Sequence, residues 1–453
     1  MTKEKASVNL REIAFQVLTE VLEEGGFSHL VLRTALERYQ YLTKTERAFL
    51  TRLCDGTVER VITLDYILNS YSKTKVSKMK PAIRTILRMG VYQLTYMDHV
   101  PASAVCNEAV KLTQKRGLHG LKGFVNGVLR SIARRDAAVS FPDRSKEPVR
   151  WLAVAYSVPE WLAEKIRREY GDDTAEKIFS AALRERQTTV RVNTMLTTRD
   201  KLKEELAAEG IDAEPALYIP EAMVLKNYNY LSRLDSFRRG AFYVQDESSM
   251  LAVKAAGIQP GDLVVDVCGA PGGKALYAAE LAGPSGRISV RDLTEDKTEL
   301  IEENVRRLTF TNVEVKTWDA REKDTAYEGK ANVVLADLPC SGLGVMGRKA
   351  DIKYHVTQES ILELAALQRE ILAAAADYVK PGGILIYSTC TVTEEENGRN
   401  RDWFLNHYPF EADSLDAYLP ETLQGETTGQ GFLQLLPGVH GTDGFYIARF
   451  RRR

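Results

Sequence analysis

"LVVDVCGAPGGKALYAAELA", residues 263–282, carries the transition that decides the fold. Its first part, "LVVDV", is rich in strand-forming residues. Pro271, Gly272 and Gly273 then forbid regular structure, and a helix-forming stretch follows at once. Glycines let the backbone approach a ligand closely, and a helix start offers unpaired N–H groups. The turn is not a phosphate-gripping P-loop. Residue 268 is Cys where that loop needs Gly, and Ala275 stands where it needs Ser or Thr. It does not match G-x-G-x-x-G either, so a plain dinucleotide fold is not favoured.

Working outward, the same strand–turn–helix pattern repeats. Strands are predicted at 263–267, 287–291, 313–317, 332–336 and 383–387, with amphipathic helical stretches such as "TEDKTELIEENVRRL" between most of them. Alternating strands and helices predict a doubly wound, Rossmann-like α/β domain with a parallel sheet over residues 236–453. Asp292 ends the second strand, about twenty residues beyond the glycines, where an acid is placed to hold ribose hydroxyls. Asp319 follows the third strand and Asp337 the fourth. A lone aspartate at a strand end is more often a turn or cap residue. Four ligand-type positions at successive carboxyl ends, in register with one glycine loop, predict instead a nucleoside-cofactor site. S-adenosyl-L-methionine suits it better than a phosphate-rich cofactor.

The remainder of the 453 residues is too long to share that core. Residues 1–140 read as helical. In "PAIRTILRMGVYQLTYMDHV" (81–100), Ile83, Ile86, Leu87, Gly90, Val91 and Leu94 recur at helical spacing behind a first-turn proline. Residues 136–150 read as a linker. Residues 150–235 read as a small α+β domain resembling an RNA-recognition motif, with a strand in "TVRVNTM" and a helix in "RDKLKEELAAEG". The N-terminus is an amphipathic helix and not a signal peptide, and no apolar run is long enough to span a bilayer, so a cytoplasmic protein with reduced thiols is expected. A net charge of −1 does not announce a nucleic-acid binder, and basic clusters such as "KTKVSKMK" and "GRK" read individually as solvated surface.

Five cysteines lie far apart, without metal-ligand spacing, so no metal site is expected. Two of them, Cys340 in "NVVLADLPC" and Cys390 in "GGILIYSTC", close two different strands beside the expected cofactor site. Buried small hydrophobe is the ordinary reading of either one alone. Two together at that edge point to nucleophilic chemistry, and spacing does not choose between them.

"DVCGAPGGK", "DLPCSGLG", "YSTC" and "DGFYIARF" (443–450) together resemble the RNA (cytosine-5)-methyltransferases of the Nol1/Nop2/Sun group, and "RVNT" (191–194) and "YVQDESS" (243–249) resemble their preceding segment. "LTKTERAFLTRLCDGTVER" and "VPASAVCNEAVKLTQKRG" resemble the NusB antitermination-factor fold. The resemblance spans nearly the whole chain. It implies methylation of carbon 5 of a cytosine in 16S (small-subunit) ribosomal RNA, unassembled or protein-poor, by a monomer that uses S-adenosyl-L-methionine. It further implies that Cys390 is the nucleophile, that Cys340 assists product release and that Asp337 contacts the base. Cys268, Gly269, Ala270, Pro271, Gly272, Gly273, Lys274, Asp292, Asp319 and Asp337 match the cofactor-binding positions. "LPC" in place of Ala-Pro-Cys or Pro-Pro-Cys, and Thr391 in place of Ser, remove no reacting group. A non-catalytic RNA-binding factor is the alternative class, which the intact loop, acids and cysteines disfavour.

Overall fold

The computed structural model describes residues 9–135, 139–184, 187–228 and 230–453. The chain forms two compact units, one of Met1–Arg184 with Met346–His355, the other of Glu185–Val345 with Val356–Arg453.

The first unit is helical. The N-terminal amphipathic stretch becomes helix Leu10–Glu23, capped by the Asn9 side chain, which accepts from the backbone N–H groups of Arg11 and Glu12. Its first eight residues lie outside the described ones. The stretch with proline in its first turn is helix Pro81–Tyr96, and it buries Ile83, Ile86, Leu87 and Val91. Gly90 is required there by contact: a Cβ at that position would meet Leu129 Cδ2 at 2.7 Å. Of the expected linker, residues 136–138 lie outside the described ones, 139–147 hold no helix or strand, and helix Pro148–Tyr156 already begins at its end. That helix belongs to the helical unit, where Val154 O accepts from Thr63 Oγ1 at 2.6 Å.

Met346–His355, immediately beyond "DLPCSGLG", also folds with this unit. Ala350 joins its apolar core. Asp351 accepts from Ser28 N at 2.8 Å and Ser28 Oγ at 2.6 Å, and Lys353 Nζ donates to Glu59 O at 2.8 Å. Burial of Lys353 pulls its ammonium down to about 7. The "GRK" cluster thus leads into a segment anchored by buried polar bonds.

The second unit contains two sheets. β1 (Thr188–Val192), β2 (Asp212–Pro215), β3 (Ala222–Lys226) and β4 (Phe242–Val244) form an antiparallel sheet in the order β2-β3-β1-β4. With helices between β1 and β2 and between β3 and β4, this is a split βαβ arrangement. The larger sheet holds β5 (Leu263–Asp266), β6 (Arg287–Asp292), β7 (Val313–Thr317), β8 (Ala331–Asp337), β9 (Val379–Thr389), β10 (Phe410–Ala412), β11 (Phe432–Leu435) and β12 (Phe445–Arg452). Its order is β10-β12-β9-β8-β5-β6-β7, with β11 also paired to β12. β5 to β9 are the five strands read from the sequence, and they pair in parallel. Beyond β9 the sheet turns antiparallel, and "DGFYIARF" proves to run into β12.

Alternate residues of the parallel strands feed two separate cores, as a sheet covered on both faces requires. Val264, Ile288, Val290, Val333 and Leu335 pack with helices Glu247–Ala255 and Gly273–Ala282. Val265, Val334, Ala336, Leu385 and Tyr387 pack with helices Gln358–Tyr378 and Gly398–His407. Continuous apolar strands with hydrophobic helices on each side leave one place for polar chemistry, the carboxyl ends of the strands.

Candidate functional site

Three sequence motifs meet at those ends through two glycines. Gly344 N donates to Cys390 O at 3.0 Å, and Gly444 N donates to Gly344 O at 2.9 Å. A Cβ on Gly344 would lie 2.1 Å from Gly444 O and 2.8 Å from Cys390 O. "DLPCSGLG", "YSTC" and "DGF" therefore pack backbone against backbone, and only glycine permits it.

This brings Cys340 and Cys390 together, Sγ to Sγ at 3.3 Å, both half-buried and neither in a disulfide. The hydrogen bond to Cys390, burial and nearby negative charge push the Cys340 thiol well up. Cys340 therefore keeps its proton and can donate it towards the Cys390 sulfur. A cation stands nearby. Burial opposes the charge of Lys274, but Asp337, then Asp266 and Cys390, outweigh it and raise its ammonium. Lys274 Nζ donates to Asp337 Oδ2 at 2.6 Å and lies 5.1 Å from the Phe445 ring centre. Asp337 Oδ1 accepts from Ser388 Oγ at 2.8 Å. The Cys390 sulfur thus has a thiol donor at 3.3 Å and an ammonium close enough to feel its charge.

Next to this group is a cavity of about 200 Å³, lined by the glycine turn, by Tyr243, Gln245 and Asp246, and by Asp266, Lys274 and Asp337. Of the cofactor residues expected from the sequence, Cys268, Gly269, Ala270, Pro271, Gly273, Lys274 and Asp337 line it. Gly272 has φ +108°, a conformation suited to glycine, and caps helix Gly273–Ala282. Asp292 braces the turn from the neighbouring strand, accepting from Ala270 N at 3.0 Å. Asp319 lies beyond β7 and grips Arg321, with Nη2 to Oδ2 at 2.6 Å; it is not among the residues that line this cavity. Burial, followed by the surrounding carboxylates, pushes the Cys268 thiol well up, which keeps it unreactive.

Residues 254–451 match the family model described as 16S rRNA methyltransferase RsmB/F, residues 8–134 match the NusB family, and residues 158–230 match the ferredoxin-like domain of RsmF/B-like methyltransferases. A Bacillus subtilis protein, probable ribosomal RNA small subunit methyltransferase B, is 38% identical over 98% of this chain and 99% of its own length. The chain belongs to the ribosomal RNA small subunit methyltransferase B family. The protein of that name from Photorhabdus laumondii is 31% identical over 99% of this chain and all of its own length. Among solved structures, PH0851 superposes with a TM-score of 0.82 at 25% identity, covering 99% of this chain and all of that one. A methyltransferase homologue from Pyrococcus horikoshii gives 0.58 at 26% identity, covering 67% of this chain and 98% of its own. The family resemblance read from the cysteine motifs is borne out, as is the order of a helical NusB-like part, a small α+β part and a methyltransferase domain.

Two site residues escaped the sequence reading. Arg191 on β1 is buried against the glycine turn; its Nη1 donates to Gly273 O at 3.0 Å and to Gln245, and its guanidinium lies 4.3 Å from the Tyr277 ring centre. "RVNT" and "YVQDESS" are thus linked by one arginine. The other is Asp266, which is fully buried. Its Oδ1 accepts from Cys268 N at 3.4 Å, and its Oδ2 has no protein partner. Burial lifts its carboxyl to about 7, against the pull of Lys274. Between an ordinary unfolded value of about 3.9 and this raised one, the folded state holds the proton longer, so stability falls as pH rises. Asp266→Asn removes that proton, so its melting temperature relative to wild type is expected to climb from about pH 5 to about pH 8. Thermal melts with parallel pH dependence in the two proteins would refute the shift.

Proposed function

We propose that this chain methylates carbon 5 of a cytosine in small-subunit ribosomal RNA, using S-adenosyl-L-methionine, through a covalent bond between Cys390 and carbon 6. The observation that carries this reading is the pair of sulfurs 3.3 Å apart beside the Lys274–Asp337 ion pair. The cavity fits the cofactor chemically. A Cβ at Gly269 would strike Val290 at 2.2 Å, and one at Gly273 would come within 3.1 Å of Tyr243, so glycine at both positions lets the turn lie close against its neighbours. Asp266 and Asp337 face that space and Asp292 braces its wall, which gives carboxyl oxygens as acceptors for the polar groups of the cofactor. When bound, the cofactor supplies an electrophilic methyl group.

The chain's own groups do the rest. Carbon 5 of cytosine is a poor nucleophile until the Cys390 thiolate adds at carbon 6 and makes it enamine-like. Asp337 is held by Lys274 and Ser388 where it can hydrogen-bond the base as charge develops on the ring. A paired base would have to be unstacked to reach Cys390, so an exposed loop cytosine is the expected target. The test is transfer of tritiated methyl to unmodified small-subunit RNA, followed by digestion to nucleosides. Label in 5-methylcytidine supports the reading, and label in any other nucleoside overturns it.

A further inference from the structure

The last hydrogen-bonded register between β8 and β9 pairs Asp337 with Ser388, so both cysteines lie beyond the end of the ladder. The Gly344 N–H holds Cys390 O there, and side-chain bonds must do the rest. Glu396, a fully buried carboxylate, does so from outside the reacting groups. Its Oε1 accepts from the backbone N of Ser341 at 2.8 Å and from Gln368 Nε2 at 3.2 Å. Its Oε2 accepts from Ser341 Oγ at 2.5 Å and Thr393 Oγ1 at 2.7 Å. Ser341 Oγ also lies 2.7 Å from Thr391 Oγ1, and the Gln368 amide also donates to Pro339 O at 2.9 Å. One carboxylate therefore ties down both chain neighbours of Cys340, one of them through Gln368, and the residues that follow Cys390.

Burying a carboxylate is costly unless its lone pairs are satisfied, and here four donors satisfy them. We propose that Glu396 is a positioning residue that holds the sulfurs of Cys340 and Cys390 at their working separation. The inference rests on the reading of that pair as the reacting thiols. The bonding pattern makes it separable from a need for charge. Oε1 meets two N–H donors, which cannot reverse, whereas Oε2 meets two hydroxyls, which can. Glutamine, with its carbonyl at the Oε1 position and its amide N–H groups towards the hydroxyls, keeps all four bonds; alanine keeps none.

Sulfur proximity can be read without the reaction, by the rate at which dibromobimane bridges Cys340 to Cys390 in the full chain, with the bridged peptide identified by mass spectrometry. Glu396→Ala is expected to slow bridging about tenfold and to lower kcat roughly 100-fold, with KM for RNA within about threefold, the scale of a small misplacement of reacting groups. Glu396→Gln is expected to restore most of both losses. Bridging at the wild-type rate in Glu396→Ala overturns the proposal, as does a glutamine variant as impaired as the alanine one, or a loss carried by KM. Slow bridging in Glu396→Ala alongside a wild type that labels no cytosine leaves the positioning role standing and sinks the proposed reaction. Should Glu396→Ala fail to fold, Ser341→Ala removes one donor to Oε2 and the link to Thr391. It is expected to slow bridging severalfold, and unchanged bridging there overturns the role equally.

Discussion

Cys390→Ala is expected to abolish methyl transfer to RNA while leaving cofactor binding intact. Deleting a covalent nucleophile typically costs on the order of 10⁴-fold or more, because the remaining groups only bind and polarise. The other thiols of the second unit are poorly placed to substitute. Cys268 is pushed up by burial among carboxylates, and burial with the charges of Glu396 and Asp337 still pushes Cys340 up once the Cys390 sulfur is gone. Cys390 has the Cys340 S–H at 3.3 Å and the Lys274 ammonium close enough to feel its charge. The cofactor cavity is walled by other residues, so removing one sulfur leaves its glycine turn and acids in place. Filter-bound tritium with small-subunit RNA measures the first quantity, and calorimetric titration with S-adenosyl-L-methionine measures the second. An alanine variant that still transfers methyl at a normal rate would sink the assignment of the nucleophile.

The large sheet was legible because its strands are short apolar runs punctuated by helices; β7 coincides with the predicted 313–317 to the residue. The antiparallel extension was not. β10 and β11 are short and set in irregular chain, and β12 showed itself only as a motif. Parallel strands align their carboxyl ends, which brings Asp337 to the cavity and Asp292 against the glycine turn. That alignment could not show that Asp319 spends its oxygens on Arg321, a local matter of two residues. Asp266 sat inside an apolar run, and nothing in that run marks the oxygen it leaves unpartnered while Lys274 bonds Asp337. Glu396 is the last of three consecutive glutamates, and nothing in that run marks which one is buried under four donors. Periodicity reports which face of an element is buried. Which polar group meets which across the fold depends on contacts between distant residues, and pattern carries no record of those.

Cys340→Ala is expected to do the opposite of Cys390→Ala: the enzyme–RNA adduct forms and persists. While Cys390 is a thiolate, its sulfur is the main reason that Cys340 holds a proton. Once Cys390 has bonded to carbon 6, that hydrogen bond and that charge are gone, and Cys340 becomes easier to ionise; its proton leaves to solvent. After carbon 5 has taken the methyl group, the hydrogen still on it must be removed. The Cys340 thiolate, 3.3 Å from the attacking sulfur, is placed to take it. The electron pair of that C–H bond then restores the ring double bond, the carbon 6–sulfur bond breaks, and Cys390 leaves as thiolate. Each cysteine returns to its starting protonation state, and one proton has gone to solvent for each hydrogen replaced by methyl. Without Cys340 the sequence halts before proton removal, with RNA attached. The expected result is a denaturation-resistant band shifted by the mass of the RNA, which appears in Cys340→Ala and disappears in the double variant with Cys390→Ala. Normal turnover by Cys340→Ala, with no retained adduct, would show that water or another base removes the proton.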